Sequence, residues 1–118
     1  TGLMVHHAVT AKDILSRVGL SVGIFDIYRL KPLNEQALLE VMIHSPRVVS
    51  LEENSRIGGL GTALSELCAD AGCRVPLMRM AWPDGHCREA CGREEIHRHY
   101  RMDARSVAER ILDWVRNT

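Results

Sequence analysis

Apolar residues recur at three- and four-residue spacings in several stretches of the chain, a pattern that predicts amphipathic helices. The first such stretch runs from Leu3 to Val18, and Gly19 is placed to end that helix in the C′ position. The second follows Asn34, a good N-cap. It stops near Ser45-Pro46, because the residue before a proline is pushed out of the helical region. Both helices therefore have recognisable start or stop signals.

Three further helices are predicted in the second half of the chain. The first of them is followed by Gly72 as its stop, a short one covers Arg93 to Tyr100, and the last starts at an Asp103 cap. The positions expected to face inward are Leu60, Leu64, Leu67 and Cys68 in the first of these helices and Val107, Ala108, Ile111, Leu112 and Val115 in the last.

Three short apolar runs between the helices predict buried strands: Leu20 to Ile27, Arg47 to Leu51 and Val75 to Met80. Strands that alternate with helices imply crossover connections and therefore a mainly parallel sheet. We expect an α/β fold with three layers, α/β/α, in a single domain that spans residues 1–118. This architecture has a strand before its first helix, so the chain is expected to be cut from a longer polypeptide just after that strand. The alternative is a short subunit.

Charge and composition narrow the class of function. The 118 residues carry 15 basic and 15 acidic side chains, so no net field favours nucleic acid, and the aromatic content of 4% argues against a base-stacking surface. The apolar runs are far shorter than the roughly 20 residues of a membrane span. Four cysteines are too few for a disulfide scaffold, and we expect them to be reduced in a cytoplasmic protein.

A glycine turn from Gly58 to Gly61 follows a predicted strand and opens a helix, which is the setting of a phosphate-binding loop. Its spacing differs from the dinucleotide fingerprint, and Glu52 and Glu53 just before it would repel a diphosphate. Adjacent residues of a strand point to opposite faces, so the two glutamates do not suit an acid/base pair. The favoured interpretation is close packing of the helix on the sheet.

A second candidate site is a group of possible zinc ligands: His86, Cys87, Cys91, His97 and His99. Their spacing fits no standard zinc module, and two histidines two residues apart on a helix face different sides. We therefore expect a solvated, histidine-rich surface and no metal site. His6 and His7 are likewise expected on a partly exposed helix face without a catalytic role.

Four landmarks resemble the C-terminal domain of transketolases and their relatives. They are Thr1-Gly2, D-I-Y-R-L-K-P-L at Asp26 to Leu33, V-V-S-L-E-E-N-S-R-I-G-G-L-G at Val48 to Gly61, and Trp82-Pro83-Asp84 followed by Gly92 to Ile96. The landmarks occur in the order of the family and span nearly the whole chain. The motif residues to which we assign structural or interface roles are Asp26, Lys31, Pro32, Glu52, Glu53, Gly58, Gly59, Gly61, Pro83 and Asp84.

The approach to the last helix, Tyr100 to Asp103, resembles transketolases and deoxyxylulose phosphate synthases. The β subunits of oxo-acid dehydrogenases usually carry a proline-rich stretch after the corresponding aspartate, and none follows here. The chain departs from the family pattern at Gly85, His86 and Cys87, where an aromatic residue is usual, and at Arg101, where a glycine is usual.

The resemblance implies that the chemistry is carried by other domains. In the family, thiamine diphosphate and Mg²⁺ lie between the first domain of one subunit and the middle domain of its partner, held by a Gly-Asp-Gly motif and a later asparagine. Here Asp84-Gly85 lacks the preceding glycine, and the next asparagine is Asn117. We therefore expect no catalytic, cofactor-binding or metal residue in this domain. Its expected role is assembly: it would contact the pyrophosphate- and pyrimidine-binding domains or subunit of the same enzyme, which would form a homodimer. The alternative is an autonomous module that binds a phosphate or nucleotide at the Gly58–Gly61 loop.

Overall fold

The computed structural model describes residues 1–84 and 92–117. These residues form two compact units. The first unit contains Thr1 and residues 27–84, and the second contains residues 2–26 and 92–117. Within the described residues the elements in chain order are α1 (Met4–Arg17), α2 (Glu35–Ile43), β1 (Val48–Ser55), α3 (Leu60–Ala71), β2 (Leu77–Trp82), α4 (Arg93–His99) and α5 (Ala104–Arg116).

The first unit is built on a parallel pair of strands. β1 and β2 run in the same direction, with Val48 opposite Leu77 and Leu51 opposite Met80. The register becomes irregular between Leu51 and Ser55. Parallel strands need a crossover connection, and α3 provides it. The predicted α/β class with a parallel sheet is therefore confirmed.

The core of the first unit lies where α2 and α3 meet β1. Met42, Leu60 and Leu64 form its buried centre, with half-buried apolar side chains packed around them. α2 begins at the predicted cap, because the Asn34 side chain accepts a hydrogen bond from the backbone N–H of Ala37 (3.3 Å). Of the residues predicted to face inward in α3, Leu60, Leu64 and Cys68 belong to or pack against this core, and Leu67 is buried as well.

The second unit is helical. α1 packs against α5, and Leu15 and Val107 are among the side chains that this contact region buries. The cap of α5 is Asp103, as predicted, since its carboxylate accepts a hydrogen bond from the backbone N–H of Ser106 (3.1 Å). Within the described part of the chain, no helix is long and apolar enough to cross a membrane.

Three helices end in the same way, with a left-handed residue that turns the chain back on the last turn. These residues are Gly19 after α1 (φ 83°), Gly72 after α3 (φ 66°) and Arg101 after α4 (φ 55°). In each case the following residue donates its N–H to the carbonyl five residues earlier, which defines a Schellman motif. Gly19 and Gly72 therefore stop their helices as predicted.

The predicted strands required three corrections. Leu20–Ile27 is not a strand, because no neighbouring strand in the described residues pairs with it, and an apolar run alone does not supply one. β1 extends past the predicted end at Leu51 to Ser55, so Glu52 and Glu53 lie within the strand. β2 runs from Leu77 to Trp82 instead of from Val75 to Met80. It begins only after Pro76, because proline cannot donate to a ladder.

Candidate functional site

The glycine turn closes over a buried carboxylate. Glu52 is only 1% exposed, and its two carboxylate oxygens each accept one backbone N–H from the first residues of α3. Leu60 N–H donates to Oε2 (2.7 Å) and Gly61 N–H donates to Oε1 (2.8 Å). The negative charge thus lies at the positive end of the helix dipole, and two otherwise unpaired helix donors are satisfied.

Two glycines of the turn are needed because other groups lie very close to them. A Cβ atom at Gly59 would overlap the Glu52 carboxylate, with the carboxyl carbon at 2.7 Å. A Cβ at Gly61 would stand 2.8 Å from both the Ser50 hydroxyl oxygen and Cδ of Arg79. Gly58 has room around it, but its φ of 78° lies in the left-handed region that favours glycine. The turn is therefore built around Glu52 and the sheet surface.

The outer side of the turn is held by Thr62. Its hydroxyl oxygen accepts the N–H of Gly58 (3.1 Å), and the hydroxyl donates to the carbonyl of Arg56 (3.1 Å). Arg79 extends a guanidinium N–H to the same hydroxyl (3.4 Å). The residues on both sides of the turn are thus joined through one side chain, which stabilises a single loop conformation.

This geometry does not fit a phosphate or diphosphate ligand. The N–H groups that bind an anion at a helix N-terminus are already donated to Glu52, and its carboxylate occupies the space beneath Gly59. A diphosphate would have to displace a buried, hydrogen-bonded carboxylate and then accept its negative charge as a neighbour. Among the residues that the structure describes, no group of three or more His, Cys, Asp or Glu side chains could hold a metal ion.

The other motif residues lie elsewhere. Lys31 and Pro32 line a groove of about 580 Å³ together with residues of α2 and α3, while Pro83 and Asp84 are exposed just after β2. Asp26 is exposed and is the last residue of the 2–26 segment of the second unit. The structure thus brings Glu52 and the glycines together and leaves Lys31-Pro32 in a separate groove. The interface roles assigned to these residues remain predictions.

The histidines differ in part from the expected solvated surface. His97 is 1% exposed, so the expectation is wrong for this residue. Its ring meets that of His7 edge to face, with centroids 4.8 Å apart, and Nδ1 of His7 donates to the carbonyl of Met102 (2.8 Å). His97 is position C3 of the Schellman motif at the end of α4, which turns its side chain inward. His86, Cys87 and Cys91 of the zinc hypothesis lie outside the described residues.

The role of Glu52 as the cap of α3 was not predicted from the sequence. The acid stands eight residues before Leu60, far from the Ncap position at which caps are sought. One signal was present: the Ncap residue is Gly59, which has no side chain to accept the helix N–H groups, so the acceptor had to come from another part of the chain.

The described residues thus form a β-α-β unit with a parallel pair of strands, in which Glu52 closes the glycine turn at the start of the helix. The chain belongs to the transketolase C-terminal domain family, whose model matches residues 1–107. The family resemblance of the sequence motifs is therefore confirmed.

Similar proteins agree with this assignment. A 1-deoxy-D-xylulose-5-phosphate synthase of Syntrophotalea carbinolica is 34% identical over 114 residues, which cover 97% of this chain and 18% of that protein. A putative transketolase C-terminal section of Methanocaldococcus jannaschii is 33% identical over 113 residues, or 96% of this chain and 34% of that protein. A solved structure of a split gene transketolase, an inactive β4 tetramer, has a TM-score of 0.81 at 28% identity and matches 92% of this chain and 35% of its own. This chain thus spans about a fifth to a third of the length of these relatives.

Proposed function

We propose that this chain is the non-catalytic, assembly-forming C-terminal domain of a thiamine diphosphate- and Mg²⁺-dependent enzyme of the transketolase type. The cofactor would be bound by the pyrophosphate- and pyrimidine-binding domains or subunit, and this domain would contribute contacts within a homodimer in the cytoplasm. The observation that carries the proposal is the occupation of the α3 N-terminus by Glu52, which uses the chain's own carboxylate where a cofactor phosphate would bind.

Two reactions of the complete enzyme are candidates. The first is the transfer of two-carbon ketol units between sugar phosphates, and the names of the Methanocaldococcus section and of the split gene structure support it. The second is the formation of 1-deoxy-D-xylulose 5-phosphate, which the names of several relatives with 31–34% identity support. The two reactions are distinguished by their products, which an assay of the complete enzyme would identify. The alternative of an oxo-acid dehydrogenase β subunit would be distinguished in the same way.

Exposed apolar side chains of the first unit support a role in assembly. Tyr28 is 85% exposed, Ile57 is 66% exposed and Ile43 is 61% exposed. Single exposed apolar residues are common on soluble proteins, but Tyr28 and Ile57 both lie in the family motifs that adjoin Lys31-Pro32 and the glycine turn. Aromatic residues are enriched in the buried parts of protein interfaces, so we assign Tyr28 the larger contribution.

The assembly role is tested in the complete enzyme with Tyr28→Ser and Ile57→Ser. Sedimentation velocity over a concentration series is expected to show a dimer dissociation constant at least about tenfold higher for Tyr28→Ser, because removal of a buried interface aromatic costs more than about 1.4 kcal/mol. Lys12→Ser, a change at an exposed polar position of α1, serves as the matched control. Unchanged assembly in both apolar variants, with the fold intact by circular dichroism, would contradict the assembly role at these positions.

The alternative of an autonomous phosphate- or nucleotide-binding module makes a different prediction. It requires that the isolated chain bind a phosphate or nucleotide at the glycine turn, for which inorganic phosphate and adenosine triphosphate are the probes. Isothermal titration of this chain with either compound, in the presence of Mg²⁺, is expected to show no binding at millimolar concentration. Saturable binding that disappears when Gly59 is changed to Ala would favour the module over the accessory domain.

A further inference from the structure

The end of α3 brings two cysteines together through backbone geometry. Gly72 is left-handed, and its N–H donates to the carbonyl of Ala69 (3.3 Å), while the N–H of Cys73 donates to the carbonyl of Cys68 (2.9 Å). These two bonds define a Schellman motif with Cys68 at C3 and Cys73 at C″. The side chains at C3 and C″ of this motif frequently pack against each other, and here both positions hold cysteine.

The two thiols share one environment. Both cysteines are reduced and half-buried, and both pack against the apolar cluster of Met42, Leu60 and Leu64. Burial raises the pKa of the Cys68 thiol, and the hydrogen bond to Cys73 and the charge of that neighbour raise it further. Two cysteines whose backbones share one hydrogen bond, and whose side chains pack against the same apolar cluster, are placed for a disulfide.

We propose that Cys68 and Cys73 are a reversible redox modification site, which closes to an intramolecular disulfide by exchange with a low-molecular-weight disulfide such as glutathione disulfide. Closure would join the last turn of α3 to the segment that leads into β2 by a second, covalent link in addition to the Schellman hydrogen bonds. The redox site goes beyond the proposed function, since its chemistry needs only the two thiols and a small disulfide and neither an assembly partner nor a cofactor.

The reaction is two successive thiol–disulfide exchanges. One cysteine, as the thiolate, attacks a sulfur of the small disulfide RSSR, which gives a protein–S–S–R mixed disulfide and releases RS⁻. The second cysteine loses its proton and attacks the sulfur of the first, which forms the Cys68–Cys73 bond and releases another RS⁻. The two protons lost by the protein convert the two leaving groups to RSH, so the protein is oxidised by two electrons and RSSR is reduced to two RSH.

The raised pKa of Cys68 makes the rate of thiol–disulfide exchange depend on pH. A thiol that stays protonated is a poor nucleophile, so exchange is expected to be slow near neutral pH and to accelerate as the pH rises toward the pKa. The equilibrium is a separate matter, because it depends on how closely the fold holds the two sulfurs and not on the rate of attack. Tests of the proposal therefore use long incubation and an equilibrium readout.

The test is peptide mapping of the native protein after equilibration with glutathione disulfide and glutathione. Trypsin leaves residues 57–74, which hold both cysteines, on one peptide, whereas Cys87 and Cys91 fall on two others. We expect this peptide to lose about 2 Da and to remain as two linked fragments after further cleavage before Asp70. Dithiothreitol should reverse both changes. No oxidation of this peptide, or linkage of Cys68 or Cys73 to Cys87 or Cys91, would overturn the proposal.

Two controls show whether the fold, and not mere proximity in sequence, produces the disulfide. In Cys68→Ser and in Cys73→Ser, a glutathione adduct on the remaining cysteine is expected in place of the closed ring. The Cys87→Ser/Cys91→Ser protein, in which the pair is the only source of thiols, is then equilibrated folded and in denaturant. Closure should be favoured at least about tenfold more in the folded protein. An equal or smaller constant in the folded state would show that the Schellman geometry does not hold the thiols for exchange, and would overturn the proposal.

Discussion

Glu52 takes the place inside this domain that a bound anion takes at the start of a helix in phosphate-binding proteins. Its carboxylate is almost fully buried, and each of its oxygens receives one N–H from the first turn of α3. A buried carboxylate is tolerated only when its hydrogen bonds are satisfied, and here two charge-assisted bonds and the helix dipole meet that need. One residue therefore both stabilises the β1–α3 connection and removes an anion site.

Glu52→Gln is expected to destabilise the protein by about 2–3 kcal/mol. The amide can accept one N–H, but its NH₂ group cannot accept the other, so one donor is left buried without a partner and the charge at the helix N-terminus is lost. Urea unfolding measures the free energy, and hydrogen exchange of the Leu60 and Gly61 amides measures the local effect. Glu66→Gln, on the exposed side of the same helix, is the matched control and should change stability by less than about 0.5 kcal/mol. Equal effects of the two substitutions would contradict the role of Glu52.

Arg101 occupies the position at which its family usually has glycine, and its backbone is strained there. Its φ of 55° lies in the left-handed region at the end of α4. A non-glycine residue there costs about 1 kcal/mol, and the long, exposed Arg101–Glu109 ion pair (3.6 Å) offsets little of it. Arg101→Gly is therefore expected to stabilise the protein by about 0.5–1 kcal/mol in thermal or urea unfolding.

The same substitution inside α4 supplies the control for Arg101. Arg98 lies in the helix, where glycine is unfavourable, so Arg98→Gly is expected to destabilise by about 1 kcal/mol. Opposite signs for two arginine-to-glycine changes three residues apart would follow only from the backbone conformation. Loss of stability in Arg101→Gly of the same size as in Arg98→Gly would contradict the strain assigned to Arg101.

At the scale of elements, the helix boundaries were predictable because their signals are local. Asn34 and Asp103 cap the helices that follow them, and Gly19 and Gly72 end the helices before them, all within a few residues of the pattern that they limit. The strands were less predictable. Whether Leu20–Ile27 pairs, and whether β1 ends at Leu51 or Ser55, depends on neighbours that are distant in sequence. The residue that caps α3 was not predicted for the same reason, since Glu52 belongs to another element, β1.

The cap of α5 is expected to depend on pH. Burial acts to raise the pKa of Asp103, but hydrogen bonds from the side chain and backbone of Ser106 and from nearby backbone groups outweigh it, and the pKa of the carboxyl is lowered. A lowered folded pKa means that the charged cap stabilises the fold above the unfolded pKa and that this contribution is lost as the pH falls through the folded pKa. Asp103→Ala should therefore cost about 1 kcal/mol near pH 7, and the cost should shrink below about pH 4.

Asn34→Ala is the matched control for this pH dependence. Asn34 caps α2 through the same kind of bond to the N–H three residues on, but its amide does not titrate. Its replacement is expected to cost about 1 kcal/mol with little change between neutral and acidic pH. Urea titrations of both variants across the range provide the comparison, and a cost of Asp103→Ala that stays constant into acid would contradict the assigned protonation.

At the scale of the molecule, the described residues form two compact units, and the family assignment extends across both, over residues 1–107. The parallel sheet and the glycine turn lie in the first unit, and the packed helices α1 and α5 lie in the second. Neither unit presents a group of described residues that suits a metal. The chain also spans only 18% of a synthase and 34% of a transketolase section to which it is similar. The proposal assigns the chemistry to other domains of the complete enzyme, and the observation that supports it is the glycine turn closed by Glu52.

The most direct test of this account is an activity measurement with thiamine diphosphate and Mg²⁺ on three samples: this chain alone, the cofactor-binding domains alone, and the two combined. Ketol transfer and 1-deoxy-D-xylulose 5-phosphate formation are both followed by their products. The account predicts no activity from this chain alone and full activity in the combined sample, with a product that identifies the reaction. Turnover or cofactor binding by this chain alone would contradict the central claim that the domain carries no chemistry of its own.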